Sequence, residues 1–226
     1  MKYLVVVAHP DDEILGAGAS IIKWSNSGND VLVYIASSGA EQRTNKPSNS
    51  VLLDNIKEAN ALLGIKHVYM GNYHNLEMNC VPHVELVQSI ESILKSEKPD
   101  VVITHHPSDV NNDHFQVSMA CQAAFRIHQR VFNNSLIKEL LFMEVQSSTD
   151  WNVNPSFNPF KPNLFVEVTE TGLEKKIEAL EKYIGVMRPY PHPRSQESIK
   201  ALATYRGSQS GLFFAEAFEI AFLGER

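Results

Sequence analysis

Two hydrophobic periods alternate along the chain. Short apolar runs rich in Val and Ile, at residues 3–8, Val31–Ala36, His67–Met70 and Val101–Thr104, read as strands buried on both faces. Between them, apolar residues recur at helical spacing. In 14–27 they are Ile14, Leu15, Ala17, Ile21, Ile22 and Trp24, and Gly28 closes the segment. Further helices are predicted over Ser50–Leu63, ending at Gly64, from Pro82 to about Glu97, ending before Pro99, and over 114–128. Leu140–Val145 and Leu164–Val168 read as later strands, 171–187 and 195–205 as helices, and the Pro/Asn-rich 151–162 as a loop at a lid or rim. Strand–helix alternation predicts an α/β, Rossmann-like three-layer sandwich with a mostly parallel sheet. No repeat, low-complexity tract or linker divides residues 1–226, so one domain is expected.

Polar residues interrupt this pattern most sharply at Ala8-His9-Pro10-Asp11-Asp12-Glu13, directly after the first strand. His9 and Asp12 lie three residues apart, and a helix starting there turns both toward one point, a pairing suited to a divalent metal such as zinc. Asp11 is then a carboxylate beside the metal, placed as a general base. A plain helix cap explains one Asp at a helix start, but not two with a His. Glu13 either supports a ligand from behind or favours the helix start. A second polar cluster, His105-His106-Pro107-Ser108-Asp109-Val110-Asn111-Asn112-Asp113-His114, follows the strand at 101–104. In open parallel sheets ligands bind beyond the carboxyl ends of the strands, so the two clusters converge there.

Composition narrows the class. At 43% hydrophobic residues, the 226-residue chain can bury a substantial core. A net charge of −6 gives no basic footprint for nucleic acid. Cys80 and Cys121 are far apart without CxxC spacing, as expected of thiols in a reducing compartment. No segment approaches the ~20 apolar residues of a membrane span, and a cytoplasmic location is expected. Gly16-Ala17-Gly18 lacks the third glycine of a dinucleotide loop, and Ser37, Ser38 and Ser108 lack a nucleophile elbow.

With Ala-His-Pro-Asp-Asp-Glu after the first strand and Asp113-His114 after a later one, the chain resembles the PIG-L/LmbE superfamily of zinc-dependent deacetylases. Pro191-His192-Pro193-Arg194-Ser195 and Ala215-Glu216-Ala217-Phe218 are similar to endings common in one branch. The resemblance implies hydrolysis of the N-acetyl group of an N-acetylglucosamine-type sugar. The metal would be Zn2+, or another divalent ion such as Fe2+, on His9, Asp12 and His114, with His105 or His106 as the alternative third ligand. Asp11 would be the base, and Asp113 would support a catalytic group or cap the helix. Many relatives carry a His where this chain has Asn111, so Asn111 takes the oxyanion-stabilising role, or His192 or His106 reaches in. Arg43, His192 and Arg194 are the expected substrate contacts, and a homo-oligomer, trimer or hexamer, is expected. The alternatives are an amidase acting on larger acyl or thiol conjugates, or an inactive sugar-binding homologue.

Overall fold

The computed structural model describes residues 1–37, 39, 47–131, 135–154, 156 and 158–225. The Val-rich runs form β1 (Lys2–Val7), β2 (Asp30–Ser37), β3 (His67–Tyr73) and β4 (Val101–His105). The amphipathic segments between them form α1 (Asp12–Asn26), α2 (Asn49–Leu62) and α3 (His83–Glu97), and α4 (Asn112–Arg130) follows β4. Then come β5 (Glu139–Met143), β6 (Leu164–Glu167), α5 (Glu170–Lys182), α6 (Gln196–Ser210) and β7 (Ala215–Leu223).

The seven strands lie in the order β3-β2-β1-β4-β5-β7-β6. The first five are parallel, and β7 runs antiparallel to both β5 and β6. β7 was not anticipated as a strand; Ala215–Phe218 was noted only as a terminal motif. α5 stops at Lys182, short of the expected 187, because Gly185 takes φ 78° and Pro189 follows.

β1 shows why its residues are apolar without alternation. Val5 and Val7 face a core built with Leu52 and Ile56 of α2 and Ile177 and Leu180 of α5. Leu4 and Val6 face the opposite core, with Leu86 and Ile90 of α3 and Val117 and Cys121 of α4. Because β2 and β3 lie on one side of β1 and β4 and β5 on the other, the strand order reverses between β1 and β4. A crevice opens at their carboxyl ends. Both polar clusters emerge there, one after β1 and the other after β4.

Candidate metal centre

Three donor atoms meet in that crevice. His9 Nδ1 lies 3.3 Å from Asp12 Oδ2 and 3.3 Å from His114 Nε2, and Asp12 Oδ2 lies 3.1 Å from His114 Nε2. Zinc bonds of about 2.0–2.1 Å in tetrahedral array separate their donors by roughly 3.3 Å, so this triangle fits one face of a zinc tetrahedron. The three side chains are almost wholly buried.

Each imidazole is oriented from behind by a carboxylate. His9 Nε2 is 3.0 Å from Asp113 Oδ2, which also accepts from the Leu76 amide, while Asp113 Oδ1 accepts from the Met78 amide. His114 Nδ1 is 3.1 Å from Asp109 Oδ2, which accepts from Ser148 Oγ at 2.9 Å and Thr149 Oγ1 at 2.6 Å. With the outer nitrogens protonated toward carboxylates, the inner ones present lone pairs to one point, the arrangement that tunes metal-binding histidines. Burial opposes charge on His114, but Asp12 and Asp109 outweigh it and hold the imidazole up to about 10. Against burial, the charge and hydrogen bonds of His114, with a further bond from His9, hold the Asp12 carboxyl well below its usual range. A donor set that binds a proton this firmly is suited to a cation.

Asp11 caps α1 with φ 111°, ψ −26°, a left-handed backbone that only surrounding structure sustains in a non-glycine residue. Its carboxylate borders a cleft of about 200 Å³ that also exposes His9, Asp12, His114, Asn75, Leu76, Asn111 and Arg194. Arg194 Nη1 reaches Asp11 Oδ2 at 3.4 Å, and its Nε donates to Ser147 Oγ at 2.8 Å. Leu76 and Ser147, like Asp11, are non-glycine residues with positive φ, so backbone strain gathers around this cleft. A roomier groove beside Lys23, Thr169 and Phe213, about 680 Å³, has no converging donor set among the described residues. Size therefore does not locate the chemistry.

The remaining expected site residues are distributed unevenly. Asn111 lies on the cleft wall, its Oδ1 accepting from the amides of Asp113 and His114 as the cap of α4; its donor end Nδ2 is the atom left for the cleft. Asp113 stands behind His9 rather than on the cleft wall, because its oxygens are taken by His9 and two backbone amides. His106 turns away, 3.5 Å from Glu219 and edge-on to Phe142 and Phe160, so it does not stand in for the missing His. His192 is exposed and folded into its own turn, its Nδ1 accepting from the Arg194 amide; of this pair only Arg194 borders the cleft. Arg43 lies outside the described residues.

His105, Asp109 and His114 form a second compact donor group. His105 stacks on His114 at 3.9 Å, and its Nε2 accepts from the Ala8 amide at 2.9 Å. That bond places its proton on Nδ1, and Asp109 already serves two hydroxyls, so the His9–Asp12–His114 set is the better metal site. Burial drives the His105 imidazole down to about 3, keeping it neutral. Asp109, Ser148 and Thr149 escaped notice in the sequence. The only trace of Asp109 was its place in the Asp-x-Asn-x-Asp-His run, and the two hydroxyl residues carried no signal.

Comparison with known proteins places the fold and the family. The chain is 25% identical over 226 residues to a diacetylchitobiose deacetylase of Thermococcus kodakarensis, covering 95% of this chain and 81% of that protein. Its structure is similar to an N,N'-diacetylchitobiose deacetylase from Pyrococcus horikoshii, with TM-score 0.74, 22% identity and coverage of 97% and 83% of the two chains. It is also similar to the 4-carboxy-2-hydroxymuconate hydratase of Pseudomonas putida, with TM-score 0.76, 18% identity and coverage of 100% and 98%. One fold thus carries both hydrolytic and hydration chemistry, and the reaction must be argued from the site. Residues 4–125, which include both polar clusters, match the family described as PIG-L, GlcNAc-PI de-N-acetylase, and the chain belongs to that family.

Proposed function

We propose that this chain is a metal-dependent N-deacetylase that hydrolyses the acetamide of an N-acetylglucosamine-type sugar, releasing acetate and a free amine. The observation that carries this reading is the donor triangle of His9, Asp12 and His114, with Asp11 on the wall of the same cleft. The deacetylase relatives support the choice of bond. His9 Nδ1, Asp12 Oδ2 and His114 Nε2 would hold zinc, whose chemistry when bound is to acidify water and polarise a carbonyl.

The chain's own groups supply the rest. Asp11 accepts a proton from the attacking water and delivers it to the departing nitrogen, serving as base and then acid. Asn111, with an amide in place of an imidazole, offers a hydrogen bond to the oxygen that gains charge but no proton. This leaves Asp11 as the sole proton carrier assigned in the cleft. Arg194 keeps the Asp11 carboxylate turned into the cleft and gives its rim a positive charge for sugar hydroxyls or an attached anionic group.

The test is amine release from N-acetylglucosamine, N,N'-diacetylchitobiose and bulky-acyl glucosamine amides by zinc-loaded wild type and Asp11→Asn. Turnover of an N-acetyl sugar that collapses in Asp11→Asn with zinc still bound is expected. Cleavage restricted to bulky-acyl amides would replace this reading with an amidase. Zinc binding with no turnover in either protein would point to a sugar-binding homologue.

A further inference from the structure

Asp11 keeps its left-handed backbone through a network that never touches the cleft. Its carbonyl accepts from the amides of Ile14 and Leu15, at 3.1 and 2.9 Å, as the first turn of α1 requires. Its own N–H, at a helix start where no carbonyl four residues back receives it, donates to Glu13 Oε2 at 3.0 Å. Glu13 is fully buried, so its carboxylate stays only where partners hold it. Those partners come from distant parts of the chain: Tyr183 Oη donates to Glu13 Oε1 at 2.7 Å, and Asn60 Nδ2 of α2 donates to the same oxygen at 3.2 Å. Tyr183, just beyond α5 and itself buried, also meets Asn60 at 3.2 Å.

We propose that Tyr183 is a positioning residue: through Glu13 it fixes the Asp11 peptide, and with it the direction in which the Asp11 carboxylate enters the cleft. This rests on the reading of Asp11 as the base. The physical case is that a strained conformation persists only when over-determined, and here the amide side of Asp11 is determined by Glu13. Without the Tyr183 hydroxyl, Glu13 Oε1 keeps only the longer bond from Asn60 Nδ2, at 3.2 Å, and the buried carboxylate is anchored chiefly by the local amides it is meant to position. The acceptor of the Asp11 N–H then shifts, and the peptide relaxes toward the ordinary helix-start conformation. Misplacing a reacting group by about 1 Å costs on the order of 10²-fold in rate.

The experiment compares zinc-loaded wild type, Tyr183→Phe, Glu13→Gln, Asp11→Asn and Tyr34→Phe. Tyr34 is the control because it is also buried and its hydroxyl meets Ser89 Oγ, far from this network. Turnover of N,N'-diacetylchitobiose, melting temperature and a crystal structure of Tyr183→Phe are measured. Tyr183→Phe should lower kcat by roughly ten- to a hundredfold with KM within about twofold and one zinc per chain. Tyr34→Phe should lose a similar amount of thermal stability at wild-type kcat. In the crystal, Asp11 should leave the left-handed region. An unmoved Asp11, wild-type kcat, or an equal loss of kcat in Tyr34→Phe would overturn the proposal.

If Tyr183→Phe does not fold, Glu13→Gln replaces it. That side chain keeps the shape of Glu13 but has one acceptor oxygen where two are needed, so a smaller fall in kcat at constant KM is expected. Wild-type kcat in Glu13→Gln would overturn the proposal. Full activity in Asp11→Asn would remove the base assignment beneath it, whereas a silent Asp11→Asn beside an unimpaired Tyr183→Phe removes the positioning role alone.

Discussion

Midway along α1, Lys176 Nζ donates to the Leu15 carbonyl and to Glu216 Oε1, at 2.8 and 2.7 Å. Glu216 in turn accepts from the amides of Ala19 and Ser20, at 3.1 and 2.7 Å. At the start of the same helix, Asp11, Asp12, Asp109 and Asp113 gather around His9 and His114. Both groups are buried, yet one is complete and the other is not. The first sets one ammonium against one carboxylate, with backbone partners for both. In the second, His105 is kept neutral by burial, so His9, His114 and Arg194 supply at most three positive charges against four carboxylates. Even that overstates the balance, because His9 Nδ1 and His114 Nε2 face each other at 3.3 Å and cannot both carry protons. Balanced buried charge completes a fold, whereas an unbalanced cluster with converging lone pairs is arranged for a cation.

Removing a proposed metal ligand should break this comparison most strongly. Asp12→Ala is expected to abolish both stoichiometric zinc binding and turnover, as read by metal analysis of purified protein and amine release. Retention of a full zinc equivalent would put the metal elsewhere. At the balanced pair the effect should fall on stability instead. Lys176→Met strands Glu216 without its counter-charge and should cost about 3–5 kcal/mol in denaturant unfolding, while the folded molecules keep wild-type zinc affinity. Asp109→Asn should keep the fold and weaken zinc about 10–100-fold in chelator competition, because it alters the partner that orients His114.

The smallest effect is graded with pH. In the metal-free chain His114 titrates near 10, above its ordinary value, so at neutral pH it is protonated and must lose that proton to bind zinc. Apparent zinc affinity should therefore rise roughly tenfold per pH unit toward 10 and then level. The stability that this proton contributes to the metal-free chain is fully present below the unfolded value of about 6.5 and is lost as pH rises through 10. Calorimetry in buffers of different ionisation enthalpy should detect proton release on zinc binding at pH 7. No release would mean that the donor nitrogens are already free.

Legibility from sequence followed locality. The strands β1 to β4 and the helices between them were visible because each strand is a short continuous apolar run and each helix carries its own 3.6-residue period. His9, Asp11 and Asp12 were visible because they fall within four residues at a strand end. β7 was harder: its pairing with β5 and β6 is antiparallel and long-range, and Ala215–Phe218 carries a charged residue, Glu216, that reads as exposed until α1 is placed against it. The reach of Arg194 into the cleft, in preference to His192, depends on how the turn at 188–195 closes on itself.

The sequence by itself determined the α/β alternation and the sheet edge at which both polar clusters emerge, since these follow from hydrophobic patterning; the pairing of His9 with Asp12 followed from their spacing, whereas His114 entered only through resemblance to the family. Gly16-Ala17-Gly18 lies inside α1, as its sequence context suggests, but its packing role was not visible. A Cβ at Gly16 would stand 2.3 Å from Met143 Sδ, and one at Gly18 would stand 3.0 Å from Lys176 Cγ. Only the tertiary structure decided such packing, along with the support that Asp109, Ser148, Thr149, Asn60 and Tyr183 give to the site. Ser, Thr, Asn and Tyr are common residues whose hydrogen bonds have direction only once a partner distant in sequence is brought within about 3 Å. Their meaning therefore lies in the fold and not in the local pattern.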